Sequence, residues 1–169
     1  MDIPTNATPF HVPDHLGYVT GIRTWRVAHP GYLMDINDRT VYSPLEKQIA
    51  SCLKGPWDKH IAPNADCDCG FWIIKPNALH NYEGWLNARS YLGSFQTMWG
   101  TCYGWGKVIE HKFGWRVEFA YPGEIYYSLT TSTTYIQTLL ETSKRYMVPL
   151  SLKDFSQTYP QLKLKITLF

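Results

Sequence analysis

The chain has 169 residues, of which 44% are hydrophobic and 15% aromatic, and its formal net charge is +2. This composition excludes an intrinsically disordered chain, which is poor in apolar and aromatic residues, and the length is typical of one domain. The small charge excludes nucleic-acid binding driven by bulk electrostatics alone, and no apolar run reaches the roughly 18–20 residues of a membrane span.

The first sixteen residues carry three prolines and predict an extended N-terminal arm, followed by a single domain over residues 17–169. The arm has no basic segment followed by an apolar one, which is the pattern of a secretory signal. We therefore expect a cytoplasmic protein without membrane association, whose cysteines are reduced.

The first half of the chain predicts a hairpin, a helix and a short strand. Residues 18–36 place β-formers on both sides of the turn signal HPGY. Residues 43–54 predict a helix, because Ser43 and Glu46 match a capping box and apolar residues follow at helical spacing. The apolar run FWII at 71–74 predicts a buried strand.

A second hairpin is predicted over residues 95–122. A three-residue loop at 112–114, with Gly114 left-handed, would pair Glu110 with Arg116. Alternation along the second strand then places Arg116 on the face opposite the core.

The remaining predicted elements are two helices and a C-terminal strand. Residues 131–149 predict an amphipathic helix whose apolar stripe includes Leu139 and Met147. Residues 77–92 predict a weaker helix, and residues 161–169 alternate as a half-buried strand. The sum predicts an α+β fold: a mostly antiparallel, strongly twisted sheet or small barrel with two or three helices.

Three of the four cysteines and one histidine lie in a proline-containing stretch between residues 52 and 69. Zinc prefers four tetrahedral ligands, with thiolate and imidazole favoured, so the spacing C-x7-H-x6-C-x-C predicts a structural Zn²⁺ that stabilises the loop. Its ligands would be Cys52, His60, Cys67 and Cys69. Two alternatives stay open: the cysteines are buried core residues, or they form a disulfide or redox pair.

The sequence holds no P-loop, nucleophile elbow, HExxH, dinucleotide-binding or zinc-deaminase motif. The strongest catalytic candidates are His111, Arg116 and Glu118, which would gather on the second hairpin as a phosphoesterase or nuclease site. For these three residues we favour the alternative interpretation of a solvated strand face. We therefore favour a protein that is not an enzyme.

Seven Trp and twelve Tyr cannot all be core residues, because their polar groups need hydrogen-bond partners when buried. Trp99, Tyr103 and Trp105, with Arg116, are predicted to line a ligand-binding groove. Aromatic rings interleaved with basic side chains suit a nucleotide, a nucleic acid or a protein partner.

Four segments form a recurring pattern: GIRTWRV, the region from HIAP to CDCGFW, WGKVIEHKFGWRVEFAYP and SKRYMVP. Over roughly residues 17–150 this pattern resembles a family of small uncharacterised proteins from actinobacteria and their phages. The resemblance implies that Cys52 and the ligands after it act as one unit, and it transfers no catalytic residue. The resemblance also includes His111, Arg116 and Glu118 in its pattern, so these residues stay candidates for a functional site.

Together these features predict a non-enzymatic binding module with a structural zinc and an aromatic-lined groove. One alternative is a phage-type inhibitor or accessory protein acting on a host protein. The other is a phosphoesterase or nuclease that uses His111, Arg116 and Glu118.

Overall fold

A computed structural model describes residues 17–28, 30–36, 40–52, 54, 60–82, 96–127 and 132–153. Within these ranges the chain forms seven strands, one α-helix and a 3-10 helix at Pro76–Tyr82. The elements are β1 (Val19–Ala28), β2 (Tyr32–Met34), β3 (Gln48–Ile49), β4 (Phe71–Ile74), β5 (Gln96–His111), β6 (Gly114–Tyr127), α1 (Thr133–Tyr146) and β7 (Leu150–Leu152). The predicted arm at 1–16, the weaker helix beyond residue 82 and the strand at 161–169 lie outside the described residues.

The strands pair in a ring. β5 and β6 form a long hairpin, β1 pairs with β5, and β4 pairs with β6. The ring closes where Ile22 of β1 pairs with Ile74 of β4. Because only the β6–β7 pair is parallel among the strands of the described ranges, the predicted predominance of antiparallel strands is confirmed, although the sheet is mixed.

One edge of β6 holds three short strands in succession. Its other edge is taken by β5 along nearly the whole strand. On the edge opposite β5, β4 pairs with residues 114–117, β3 with residues 119–120 and β7 with residues 125–127. Each of these strands is only two to four residues long, so β6 is the common scaffold on which they are aligned.

The β5–β6 hairpin contains a bulge. Between Trp105 and Val108, the residues Gly106 and Lys107 face the single residue Glu118 of β6. Gly106 has φ +76°, a conformation that favours glycine, as expected for the first residue of such a bulge. The Glu118 carboxylate accepts a hydrogen bond from the Lys107 backbone N–H at 3.0 Å, which satisfies a donor that the bulge removes from the ladder.

The core fills the inside of the ring and the space under the helix. Trp25, Ile73, Val117 and Ile125 are fully buried, together with Leu139 of α1. The ring closes tightly because residue 104 is glycine: a Cβ there would lie 2.8 Å from the methyl carbons of Val117. Small residues at such points let the opposite strands pack against each other.

The helix is fixed to the sheet by Tyr146 in its last turn. The Tyr146 hydroxyl donates to the Tyr42 carbonyl at 2.5 Å and accepts from the Leu33 backbone N–H at 3.0 Å. The predicted helix is confirmed, but its buried stripe is Leu139, Thr142 and Tyr146. Met147, which the sequence pattern assigns to that stripe, lies beyond the helix with 76% of its surface exposed.

The predicted register of the second hairpin is wrong by one residue. His111 pairs with Gly114, and Lys112 and Phe113 form a two-residue turn. Glu110 therefore faces Trp115, and Arg116 faces Ile109. The backbone N–H of Lys75, the residue after β4, donates to the Phe113 carbonyl at 3.0 Å. This contact from outside the hairpin helps to stabilise the two-residue turn.

The helix predicted at 43–54 is also wrong for the residues described there. Leu45 adopts a left-handed conformation with φ +63°, which interrupts a right-handed helix. The Gln48 side-chain amide donates to the carbonyls of Ser43 and Glu46 at 2.9 and 3.0 Å. The following backbone joins the edge of β6 as β3, so sheet pairing replaces helical hydrogen bonds.

The described residues thus contain one α-helix, with a 3-10 helix elsewhere in the chain, instead of two or three helices. The dominance of strands with a helix packed on them is consistent with an α+β chain. Among the helices of the described ranges, none has the length and apolar character needed to cross a lipid bilayer.

Candidate metal centre

Four predicted ligands meet beside the edge of β6. They are Cys52, His60, Cys67 and Cys69, and their ligand atoms all lie within 4.8 Å of one another. The Cys52 and Cys67 sulfur atoms are 3.6 Å apart, and His60 Nε2 lies 3.2 Å from the Cys69 sulfur. Residues from both ends of the loop therefore converge on one point.

These distances match the requirements of a tetrahedral zinc site. Bond lengths of about 2.3 Å to sulfur and 2.0–2.1 Å to nitrogen place two sulfur atoms about 3.8 Å apart and sulfur about 3.6 Å from nitrogen. A disulfide requires about 2.05 Å between sulfur atoms, and all four cysteines are free. The sequence left two alternatives, a disulfide and buried core cysteines. The described structure contains no disulfide. Among the described cysteines, only Cys102 is a fully buried core residue away from the cluster.

The ligands are positioned by the two strands that lie end to end on β6. Cys52 follows β3, whose exit is held by a hydrogen bond from the Ala50 N–H to the Glu118 carbonyl at 2.8 Å. Cys67 and Cys69 come just before β4, which pairs with β6 from Phe71 onward. An ion bound here would join the end of one short strand to the start of the next.

Residues 60–70, which we name the metal loop, are shaped by backbone hydrogen bonds and close packing. The Asn64 side-chain oxygen accepts from the Asp66 N–H at 2.8 Å, and the Asn64 carbonyl accepts from the Cys67 N–H at 3.2 Å. Gly70 has φ +112°, and a Cβ at this position would lie 2.8 Å from Pro63. The turn that brings Cys69 toward β4 therefore requires glycine next to it.

Arg116 of β6 lies beneath this loop and is 6% exposed. Its terminal nitrogen Nη1 donates to the Cys67 carbonyl, and also to the carbonyls of Asn64 and Cys69 at 3.2 Å each. The guanidinium thus holds the backbone of two ligand residues from below. Sequence alternation assigns Arg116 to a solvated face, and its burial is a correction to that prediction.

The thiols have unequal acidities. Burial raises the pKa of Cys67, but hydrogen bonds from the Cys69 backbone and neighbouring side chains outweigh it and lower that pKa to about 7. Burial raises the pKa of Cys69 to about 11, and the adjacent Cys67 thiol adds to the rise. Because neighbouring thiolates repel one another, a divalent cation bound here would favour their deprotonated forms.

His111 is joined to the same cluster through Arg116. Its Nε2 accepts a hydrogen bond from Arg116 Nε at 2.8 Å, and its ring lies 5.0 Å from that of Trp72. An accepting Nε2 requires the neutral imidazole with its proton on Nδ1. Burial lowers the pKa of His111, and the positive charge of Arg116 lowers it further.

The predicted catalytic residues are brought together only in part. His111 and Arg116 are hydrogen-bonded, whereas the Glu118 carboxylate accepts from the Lys107 N–H at the bulge. The guanidinium of Arg116 is directed to backbone carbonyls of the metal loop. A phosphoesterase or nuclease role for this set remains a prediction.

The predicted ligand-binding residues are likewise divided. Tyr103 and Trp105 line an open cavity of about 490 Å³ with Gly17 and Tyr18, which we name the aromatic groove. Trp99 packs instead against a smaller buried cluster that includes Ile22, Ile74, Leu79 and Tyr126. Sequence reasoning missed Tyr18, which forms an edge-to-face pair with Tyr103 at 5.1 Å.

A set of four protein ligands leaves no coordination position for water, which is typical of a structural rather than a catalytic metal site. Comparisons of the chain with protein-family models, with curated proteins and with solved structures found no match. The function is therefore inferred from the geometry of the metal cluster and of the aromatic groove.

Proposed function

We propose that the chain is a zinc-binding module in which the ion fixes β3 and β4 along β6, and that its aromatic groove binds a partner molecule. The observation that supports the zinc site is the convergence of three thiols and one imidazole within 4.8 Å. A reducing compartment such as the cytoplasm would keep these thiols available as ligands.

Elemental analysis of the purified protein tests the metal assignment. We expect one zinc per chain, and less than one in Cys67→Ser, whose free energy of unfolding should fall by several kcal/mol because metal binding is coupled to folding. Cys102→Ala is the matched control: this cysteine is buried elsewhere and its thiol faces the Tyr103 carbonyl. A wild-type protein without zinc, or Cys67→Ser with a full zinc, would contradict the assignment.

For the aromatic groove we propose single-stranded nucleic acid as the ligand. Tyr18 and Tyr103 are 66% and 39% exposed, so their rings are accessible for stacking. Next to them, the Trp105 ring lies 6.0 Å from that of Phe119, over which the Lys47 ammonium is placed at 4.1 Å. Aromatic rings beside a cation are the usual means of stacking bases and contacting phosphates without sequence preference.

Titration with a fluorescent single-stranded oligonucleotide tests this ligand. We expect binding that weakens between about 50 mM and about 200 mM salt, because phosphate contacts release counterions. Trp105→Ala should weaken binding by about 1–3 kcal/mol, the usual contribution of one stacked base. Leu140→Ala, an exposed apolar residue on α1, is the control and should bind as the wild type does. No binding to any oligonucleotide would contradict this ligand and favour a protein partner.

A further inference from the structure

The metal centre has a formal charge that its ligands do not balance. Zn²⁺ with three thiolates and one neutral imidazole carries a net charge of −1. Because Cys67 is buried and the other ligands are partly buried, water compensates this charge poorly. The carboxylates of the neighbouring Asp66 and Asp68 belong to exposed residues and add further negative charge.

One buried cation lies next to the centre. Arg116 is held between the metal loop and His111, and it brings the positive charge of a guanidinium to this position. Its Nη1 donates to backbone carbonyls of Asn64, Cys67 and Cys69, and its Nε donates to His111. These contacts keep the positive charge in place beside the ligand set.

The same contacts determine where two ligands lie. The carbonyls of Cys67 and Cys69 belong to the residues whose thiols converge on the proposed site, so holding these carbonyls restricts the backbone that carries the two thiols. Groups that orient metal ligands from behind typically change metal affinity 10- to 100-fold when they are altered.

We infer that Arg116 is the positioning residue of the metal centre: it orients Cys67 and Cys69 through their backbone carbonyls and neutralises the −1 charge of a three-thiolate zinc site. This inference rests on the proposed zinc site. It assigns Arg116 a role toward the metal instead of the ligand-binding or catalytic role that the sequence predicts.

Zinc affinity measured by chelator competition tests the inference. We expect Arg116→Gln to bind zinc 10- to 100-fold more weakly than the wild type, and Arg116→Lys, which keeps the charge but loses the planar fork, to be intermediate. Arg145→Gln is the matched control, because that guanidinium donates to the Pro30 carbonyl and stacks on Tyr32 instead. If a variant folds only with metal, zinc titration during refolding gives the same ranking.

A second background separates charge compensation from a general loss of structure. Cys52→His replaces a thiolate with a neutral imidazole, so the centre becomes formally neutral and the Arg116→Gln penalty should shrink in the double variant. Cobalt bound to the single Arg116→Gln variant should also show shifted sulfur-to-metal charge-transfer bands.

The outcomes distinguish this inference from the zinc assignment itself. A wild type that binds no zinc overturns both. A wild type that binds zinc, with Arg116→Gln within about threefold of its affinity, overturns only the role of Arg116. If Arg116→Gln weakens zinc binding by the same factor with and without Cys52→His, the charge argument alone is overturned and the orienting role of Arg116 is supported.

Discussion

At the scale of single residues, the contacts of Arg116 connect two parts of the molecule that are distant in sequence. Its Nη1 reaches the metal loop, while its Nε donates to His111 at the tip of the hairpin. His111 in turn packs against Trp72 of β4. The protonation state of the His111 imidazole therefore affects the same guanidinium that holds the metal loop.

We predict that protonation of His111 destabilises the fold. Its pKa in the folded state is lowered below the ordinary value of 6.5, so the unfolded chain binds the proton more readily. The contribution of the neutral ring is complete above about pH 6.5 and is lost as the pH falls toward the lowered folded pKa. Denaturant unfolding at about pH 7.5 and about pH 5.5 should therefore show a smaller loss of stability on acidification in His111→Gln than in the wild type.

The comparison between these two proteins isolates one group. Protonation of the proposed zinc ligands would also lower stability in acid, but it would affect both proteins and cancel in the difference. Equal losses in wild type and His111→Gln would contradict the prediction.

The sequence was informative for residues whose chemistry is unusual and uninformative for those with several possible uses. Three cysteines and a histidine close together have few explanations, and Cys52, the most distant of the three cysteines, does join the cluster. Arg116 suits a strand face, an ion pair or a backbone clamp equally well. Its burial is decided by a neighbouring loop, which a strand pattern does not contain.

At the scale of elements, α1 ends under backbone strain. Met147 takes the left-handed conformation, with φ +52°, at the C-cap, and its N–H donates to the Lys144 carbonyl at 3.3 Å. Glycine usually occupies this position because side chains are disfavoured there. The Met147 side chain contributes little packing, since most of it is exposed.

We predict that Met147→Gly stabilises the protein by roughly 0.5–1 kcal/mol, because it relieves this strain at a position where little packing is lost. Thermal or denaturant unfolding measures the change. Met147→Ala is the control: it removes the same side chain but keeps a Cβ, so it should not stabilise. A stability of Met147→Gly at or below that of Met147→Ala would contradict the prediction.

The elements that were predicted correctly are those with strong local patterns. The apolar run of β4, both hairpins and α1 are all present. The segment after Ser43 has local signals for a helix, but the free edge of β6 offers Gln48 and Ile49 paired hydrogen bonds. The choice between a helix and a strand here depends on the distant partner strand β6, and a capping box contains no information about that partner.

At the scale of the whole molecule, the proposed ion acts on two of the short strands of the sheet. β3 pairs through two residues and β4 through four, whereas β1 and β5 pair over nine positions. Removing zinc should therefore open the metal loop and its two strands before it affects the β1–β5 pairing.

Hydrogen–deuterium exchange with and without chelator tests this order. We expect faster exchange at residues 48–52 and 60–74 after chelation, and little change at 20–25 and 98–103. Cys102→Ala should show the same local response to chelator as the wild type. Uniform acceleration across all of these segments would indicate instead that the ion supports the fold as a whole.

The ring of strands was only partly predictable because closure depends on contacts far apart in the chain. The alternating patterns imply a twisted antiparallel sheet, but they do not specify that Ile22 meets Ile74. Nor do they show that β3, β4 and β7 share one edge of β6. The bulge at Gly106 and the tight packing at Gly104 accompany these arrangements, and both involve residues that meet only in three dimensions.

Ring closure also limits how other molecules can attach. Within the described ranges, β1, β5 and β6 each have partner strands on both edges, so their main-chain groups offer little opportunity for an incoming peptide to extend the sheet. The same arrangement discourages copies of the chain from stacking edge to edge into aggregates. Recognition on these three strands must therefore depend on side chains that project from their faces, and substitution of those side chains can change specificity without altering any strand pairing.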